Sequence, residues 1–95
     1  MSQPPPWAGR RAAEALKRVR ALGQASNARC CICDTAIDYR LRYPSPWSCS
    51  VQHVLSRSLR PDLTWNPANW LPAHLQCNRE AGDGTGVNPY DLGIA

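Results

Sequence analysis

Two short pairs of metal-binding residue types, set far apart, constrain this chain more than any other feature. Cys30 and Cys33 form a C-x-x-C in Arg29-Cys30-Cys31-Ile32-Cys33-Asp34, and His74 and Cys77 form an H-x-x-C in Ala73-His74-Leu75-Gln76-Cys77-Asn78. Each pair offers two soft ligands from one tight turn or helix start. A single tetrahedral ion held by both pairs would tie distant segments together, which is the layout of a structural zinc site on Cys30, Cys33, His74 and Cys77. Cys31 is an alternative to Cys30, at the cost of a less usual C-x-C with Cys33. A redox C-x-x-C is a rival reading, but it calls for a βαβ setting that the flanking sequence does not supply. Five cysteines is an odd number for a disulfide framework. Cys49 belongs to neither pair and reads as a small buried residue in a strand.

Such a staple is expected on grounds of size. The chain has 95 residues, no Phe and one Met, with Pro 9 and Gly 6. A core built from so few bulky side chains is modest, and small domains of this kind draw on metals or disulfides. No stretch approaches the length of a membrane span. The first residues lack the basic-then-apolar layout of a secretory signal, so a single cytoplasmic domain is expected. The net charge is +4 and unevenly spread: residues 1–42 carry eight basic against three acidic side chains, residues 43–95 three against four. A basic N-terminal side suits a polyanion, although a solvated helix surface accounts for it equally well.

Along the chain, residues 1–28 read as a Pro-rich segment (1–6) followed by a basic helix from Trp7 to about Leu22. That helix has an apolar stripe of Ala8, Ala12, Ala15, Leu16, Val19 and Leu22, with Gly23 as its C-cap. Residues 29–82 follow as one unit. Residues 29–34 make the knuckle, and Ser48–Leu55 alternates with period two and reads as a strand. Residues 57–67 form a proline-marked loop, Asn69-Trp70-Leu71 a short second strand stopped by Pro72, and Ala73 to about Ala81 a short helix with Gly82 behind it. Residues 83–95 are a Gly-rich tail without periodicity. The order strand, loop, strand, helix is an α+β arrangement: a ββα unit with zinc at its base and a basic helix in front.

Gln52-His53 on the first strand, Asn69 beside the second and Asn78 on the helix fall where a ββα unit would bring them to one cleft. Together they offer an imidazole base that is neutral near pH 7, an amide to orient it, and oxygens for a hard cation, the parts that phosphodiester hydrolysis needs. The runs C-C-I-C-D, S-V-Q-H-V-L-S-R-S and N-P-A-N-W-L-P-A-H-L-Q-C-N-R, in this order, resemble the HNH endonucleases. This is the zinc-stapled branch of the His-Me finger (ββα-metal) nucleases, and the chain is similar to its small members from actinobacterial phages and prophages.

The resemblance implies a metal-dependent DNA endonuclease in which His53 activates water and Asn69 positions it. Gln52 and Asn78 lie at the contacts of a catalytic Mg²⁺ or Mn²⁺, and structural zinc sits on Cys30, Cys33, His74 and Cys77. Gln52 stands where the family has an Asp, so the protein contributes no carboxylate to the cation and the DNA phosphate must supply most of the charge. An alternative of another class is a zinc-stapled DNA- or protein-binding module that kept the fold and lost catalysis. The DNA contacts implied are to the backbone, from Arg10, Arg11, Lys17, Arg18 and Arg79, with low sequence specificity. Small phage relatives suggest a terminase-type protein partner in DNA packaging. Each site residue also has a plainer reading: a polar strand histidine at 53, a turn asparagine at 69, a surface asparagine at 78. Trp47, Trp65 and Trp70 read as packing residues rather than base-stacking platforms.

Overall fold

The computed structural model describes residues 6–81. The first five residues of the Pro-rich segment, Gly82 and the Gly-rich tail lie outside them. Helix α1 spans Gly9–Ser26, strand β1 Cys49–His53, strand β2 Trp70–His74 and helix α2 Leu75–Glu80. The strands form a two-stranded antiparallel sheet in which Cys49 faces His74, Val51 faces Pro72 and His53 faces Trp70. Both helices pack on both strands. The protein is therefore a small α+β fold with two helices around one β ladder.

Helix α1 is built from good helix formers and ends four residues later than Leu22. Gly23 lies inside it. The cap is Asn27, left-handed at φ 52°, whose N–H bonds to Gln24 O while the Ala28 N–H reaches Gly23 O at 2.8 Å. This is a Schellman closure, with Asn in the position usually taken by Gly. Gly23 instead permits a close approach, because a Cβ there would lie 2.5 Å from the Tyr39 hydroxyl. The buried ridge is Ala15, Val19 and Gly23, one residue per turn, while Leu22 is 59% exposed. The apolar stripe thus turns slightly from the expected one.

The knuckle is a tight turn over residues 29–36. Arg29 and Ala36 bridge, Cys30 N–H bonds to Thr35 O, Asp34 N–H bonds to Cys30 O, and Asp34 takes the left-handed conformation. Strand β2 continues through Pro72 to His74 rather than stopping at it. In a two-stranded sheet each strand is an edge, so proline costs no ladder bond on its outer side. The carbonyl of Pro72 accepts from Cys31 N–H at 3.0 Å, which docks the knuckle on the strand. Helix α2 starts at Leu75, two residues later than expected. Its first free N–H groups, those of Leu75 and Gln76, donate to Ser48 O and Pro46 O.

The core is small: Val19, Ile37, Tyr39, Cys49, Val51, Ala73 and Cys30, with Trp7, Leu16, Ile32 and Trp70 packed against it. No helix among the described residues is long and apolar enough to cross a membrane.

Candidate functional site

The knuckle and the β2–α2 junction bring Cys30, Cys33, His74 and Cys77 together, with their ligand atoms all within 4.8 Å of one another. His74 Nδ1 lies 3.4 Å from Cys33 Sγ and 3.8 Å from Cys77 Sγ. Zinc bonds of about 2.3 Å to sulfur and 2.0 Å to nitrogen, arranged tetrahedrally, require a separation of about 3.5 Å, so the donor set fits that ion. His74 Nε2 faces the Ala36 carbonyl at 3.1 Å. A carbonyl only accepts, so Nε2 carries the hydrogen and Nδ1 is the basic nitrogen turned to the thiols. The His74 main-chain N–H donates to Cys30 Sγ.

Cys33 is lowered to about 6, chiefly by the Thr35 hydroxyl and then by its backbone N–H. Burial pushes Cys77 up to about 12, and hydrogen bonding to Cys33 and Cys30 adds to the rise. Metal binding therefore displaces protons from this set. Cys31 stays outside the cluster, pushed up to about 12 by burial. Cys49 is buried in β1, and none of the five cysteines forms a disulfide.

His53 ends β1 at the opposite end of the ladder. Its Nε2 lies 2.9 Å from Thr64 O, a carbonyl that also accepts Trp70 Nε1–H at 3.0 Å. This again assigns the hydrogen to Nε2 and leaves Nδ1 basic. The residue is 8% exposed, and the Trp7 indole sits edge-on with ring centres 4.5 Å apart. Burial holds its pKa below the ordinary histidine value, and Arg57 adds to this; the bond to Thr64 opposes both.

The Asn69 side chain bonds to Leu55 and Leu63 rather than to the His53 ring. It closes the loop that carries Thr64: Oδ1 accepts Leu55 N–H at 2.8 Å, and Nδ2 donates to Leu55 O at 3.0 Å and Leu63 O at 3.4 Å. These bonds are those of the turn reading of Asn69.

Asn78 is half-buried on α2, where its Nδ2 donates to Val51 O and Ser50 Oγ. Gln52 is 1% exposed, which breaks the alternation expected of β1. Its Nε2 donates to His53 O, and its Oε1 has no hydrogen-bond partner among the described residues. Gln52, His53 and Asn78 all line one open cleft of about 360 Å³, bounded by Trp7, Leu16, Tyr43 and Arg57. Among the described residues lining it none is a carboxylate.

Arg10, Arg11, Lys17, Arg18 and Arg79 are exposed. Arg11 stacks over Trp65 at 4.2 Å, and Trp65 stacks in turn on Trp7. Trp65 therefore uses both faces within the protein, in keeping with a packing role, and Trp70 packs on Trp7. Trp47 differs from that expectation: it is 55% exposed, and its indole packs edge-on against the His74 ring. Sequence reasoning passed over Tyr43 and Trp7, two cleft residues whose only signal is an aromatic in proline-marked chain. Comparison with protein-family models, with curated proteins and with solved structures gave no match.

Proposed function

We propose that this chain is an HNH-type nuclease that hydrolyses phosphodiester bonds in DNA, with His53 as general base. The observation that carries this reading is how His53 is fastened: Nε2–H is committed to Thr64 O, and Nδ1 is left basic on a ring that lines the cleft. Burial keeps the ring neutral near pH 7, the form that accepts a proton. Water in the cleft gives its proton to Nδ1 as its oxygen attacks phosphorus in line with the leaving 3′ oxygen, which takes a proton from solvent.

Asn69 acts as a positioning residue through the loop it closes. We assign Gln52 Oε1, buried and without a partner among the described residues, and the Asn78 side-chain carbonyl to a divalent cation. With no carboxylate beside them among the described residues lining the cleft, they fit Mg²⁺ or Mn²⁺ only together with the substrate phosphate. Such a cation, when bound, stabilises the charge on the leaving oxygen. The exposed arginines and Lys17 of α1, with Arg79, supply backbone contacts that weaken with salt.

The test is plasmid nicking with Mg²⁺, Mn²⁺ or no added cation, beside His53→Ala, with the zinc content of both proteins measured. Cation-dependent nicking that disappears with His53 is the expected result. If both proteins are folded and zinc-loaded and neither cuts, the reading fails. The absence of a carboxylate among the described residues lining the cleft favours one second reading, a DNA- or protein-binding module of the same fold with impaired catalysis. Gln52→Asp separates the two: a large gain of nicking indicates a weakened site on an intact frame.

A further inference from the structure

The segment between the knuckle and β1 holds two large aromatic side chains out of the fold. Tyr43 is 70% exposed, and Trp47 lies four residues on. This loop is braced along its length. Ser45 N–H bonds to Arg42 O, and Ser48 Oγ and N–H both bond to Ser45 O. Ser45 Oγ accepts from Trp47 N–H. The carbonyls of Pro46 and Ser48 take the first two N–H groups of α2, so the loop is fastened to the helix that carries Asn78 and Arg79.

An aromatic side chain carried by a braced backbone is held at the surface without gaining burial, the opposite of a packing residue. Its surroundings indicate what it suits. Tyr43 lines the same cleft as His53 and Asn78, and the Arg79 guanidinium lies over one face of its ring, 5.9 Å from the centre, leaving the other face for a ligand. An exposed aromatic ring, a cation over one of its faces and a cleft whose lining among the described residues is basic and not acidic match the two halves of a nucleotide, a flat base and an anionic phosphate.

We infer that Tyr43 is a stacking platform for an unpaired base. Arg79 holds the adjoining phosphate, and the preferred ligand is single-stranded or locally unpaired DNA rather than continuous duplex. A base paired within a duplex presents only its edges, so its face reaches Tyr43 only when the nucleotide is out of the stack. The inference rests on the proposed nuclease reading only in placing the next phosphate toward His53. The stacking contact itself is a binding property.

The test is fluorescence-anisotropy binding of the zinc-loaded full chain, without Mg²⁺ or Mn²⁺, to a labelled single-stranded oligonucleotide and to the matching duplex. Tyr43→Ala should weaken single-strand binding by about tenfold or more. It should change duplex binding less than about twofold, and Tyr43→Phe should keep single-strand affinity. Arg79→Gln should lower the salt slope of single-strand binding by about 0.7. Thermal unfolding and zinc content confirm that each variant is folded, as expected for exposed positions.

Equal binding of single strand by wild type and Tyr43→Ala overturns the inference. So does a tighter duplex complex with the same dependence on Tyr43, or a Tyr43-dependent dimer in sedimentation with no effect on DNA. Tyr43-dependent binding without nicking removes the hydrolytic proposal and leaves the platform standing. Nicking with no Tyr43 dependence of binding does the reverse.

Discussion

Replacing Asn69 by Ala removes the clamp that closes the loop between β1 and β2. Two short bonds to the Leu55 main chain, at 2.8 and 3.0 Å, are lost, with a longer one to Leu63 O at 3.4 Å. Each good hydrogen bond contributes about 1 kcal/mol net, and a main-chain partner left unsatisfied costs more where water cannot reach it. Asn69 is buried but Leu55 is half-exposed, so solvent recovers part of the loss and the expected cost is about 2–3 kcal/mol. For a domain of this size that is a fall in Tm of about 10–20 °C, measured by circular dichroism at a fixed excess of zinc so that metal linkage is constant. Asn69→Asp keeps an acceptor for Leu55 N–H but turns a carboxylate oxygen toward two carbonyls. It should be at least as destabilising at neutral pH and recover as the carboxyl protonates. Because Thr64 follows Leu63, the His53–Thr64 bond should loosen in both variants. With only two histidines in the chain, the His53 ring resonances report this directly. A Tm fall below about 4 °C for Asn69→Ala, or an Asn69→Asp variant as stable as wild type, would refute the clamp.

Removing zinc with a chelator, or replacing Cys77 by Ser, should abolish cooperative thermal unfolding, because the remaining core holds few large side chains; calorimetry of zinc-free and reloaded protein checks this. Gly23→Ala should destabilise by about 1–3 kcal/mol despite the better helix propensity of Ala, because Tyr39 cannot yield without breaking its 2.6 Å bond to Ala28 O; urea unfolding at fixed zinc measures it. His53 has a folded pKa below its unfolded value, so the unfolded chain binds the extra proton first. Its contribution to stability should be complete above about pH 6.5 and be lost as pH falls through the folded pKa, a dependence missing from the difference curve of His53→Gln.

The metal cluster was legible because soft ligands at x-x spacing have few other uses, and the pairing partner was the only comparable motif in the chain. The ββα order was legible from period-two alternation followed by helix formers. Other features were hidden for definite reasons. Pro72 reads as a strand terminator only if both sides of the strand must be paired, and a two-stranded sheet leaves one side open. Gly23 looks like a cap because glycine favours the left-handed region, but Asn27 tolerates it and Gly23 is needed where Tyr39 crosses the helix. The burial of Gln52 breaks the strand period because its amide turns back onto the His53 carbonyl, a local bond that no pattern of residue types announces.

The placement of the two cross-links gives the ladder its logic. At one end, Cys49 pairs with His74, which belongs to the metal cluster; at the other, His53 pairs with Trp70, directly after the Asn69 clamp. Four residue steps separate the ends of β1, about 13 Å along the strand. That is too far for zinc at one end to touch a reacting group at the other. An ion held by the cluster would bear on His53 through the register of β1 against β2, because a one-residue slip would turn His53 to the other face of the sheet. The clamp then fixes the loop that supplies the carbonyl partner of His53. In this fold the imidazole would be specified twice: by an ion on the four-ligand cluster, holding the register of β1, and by Asn69, closing the loop that carries Thr64.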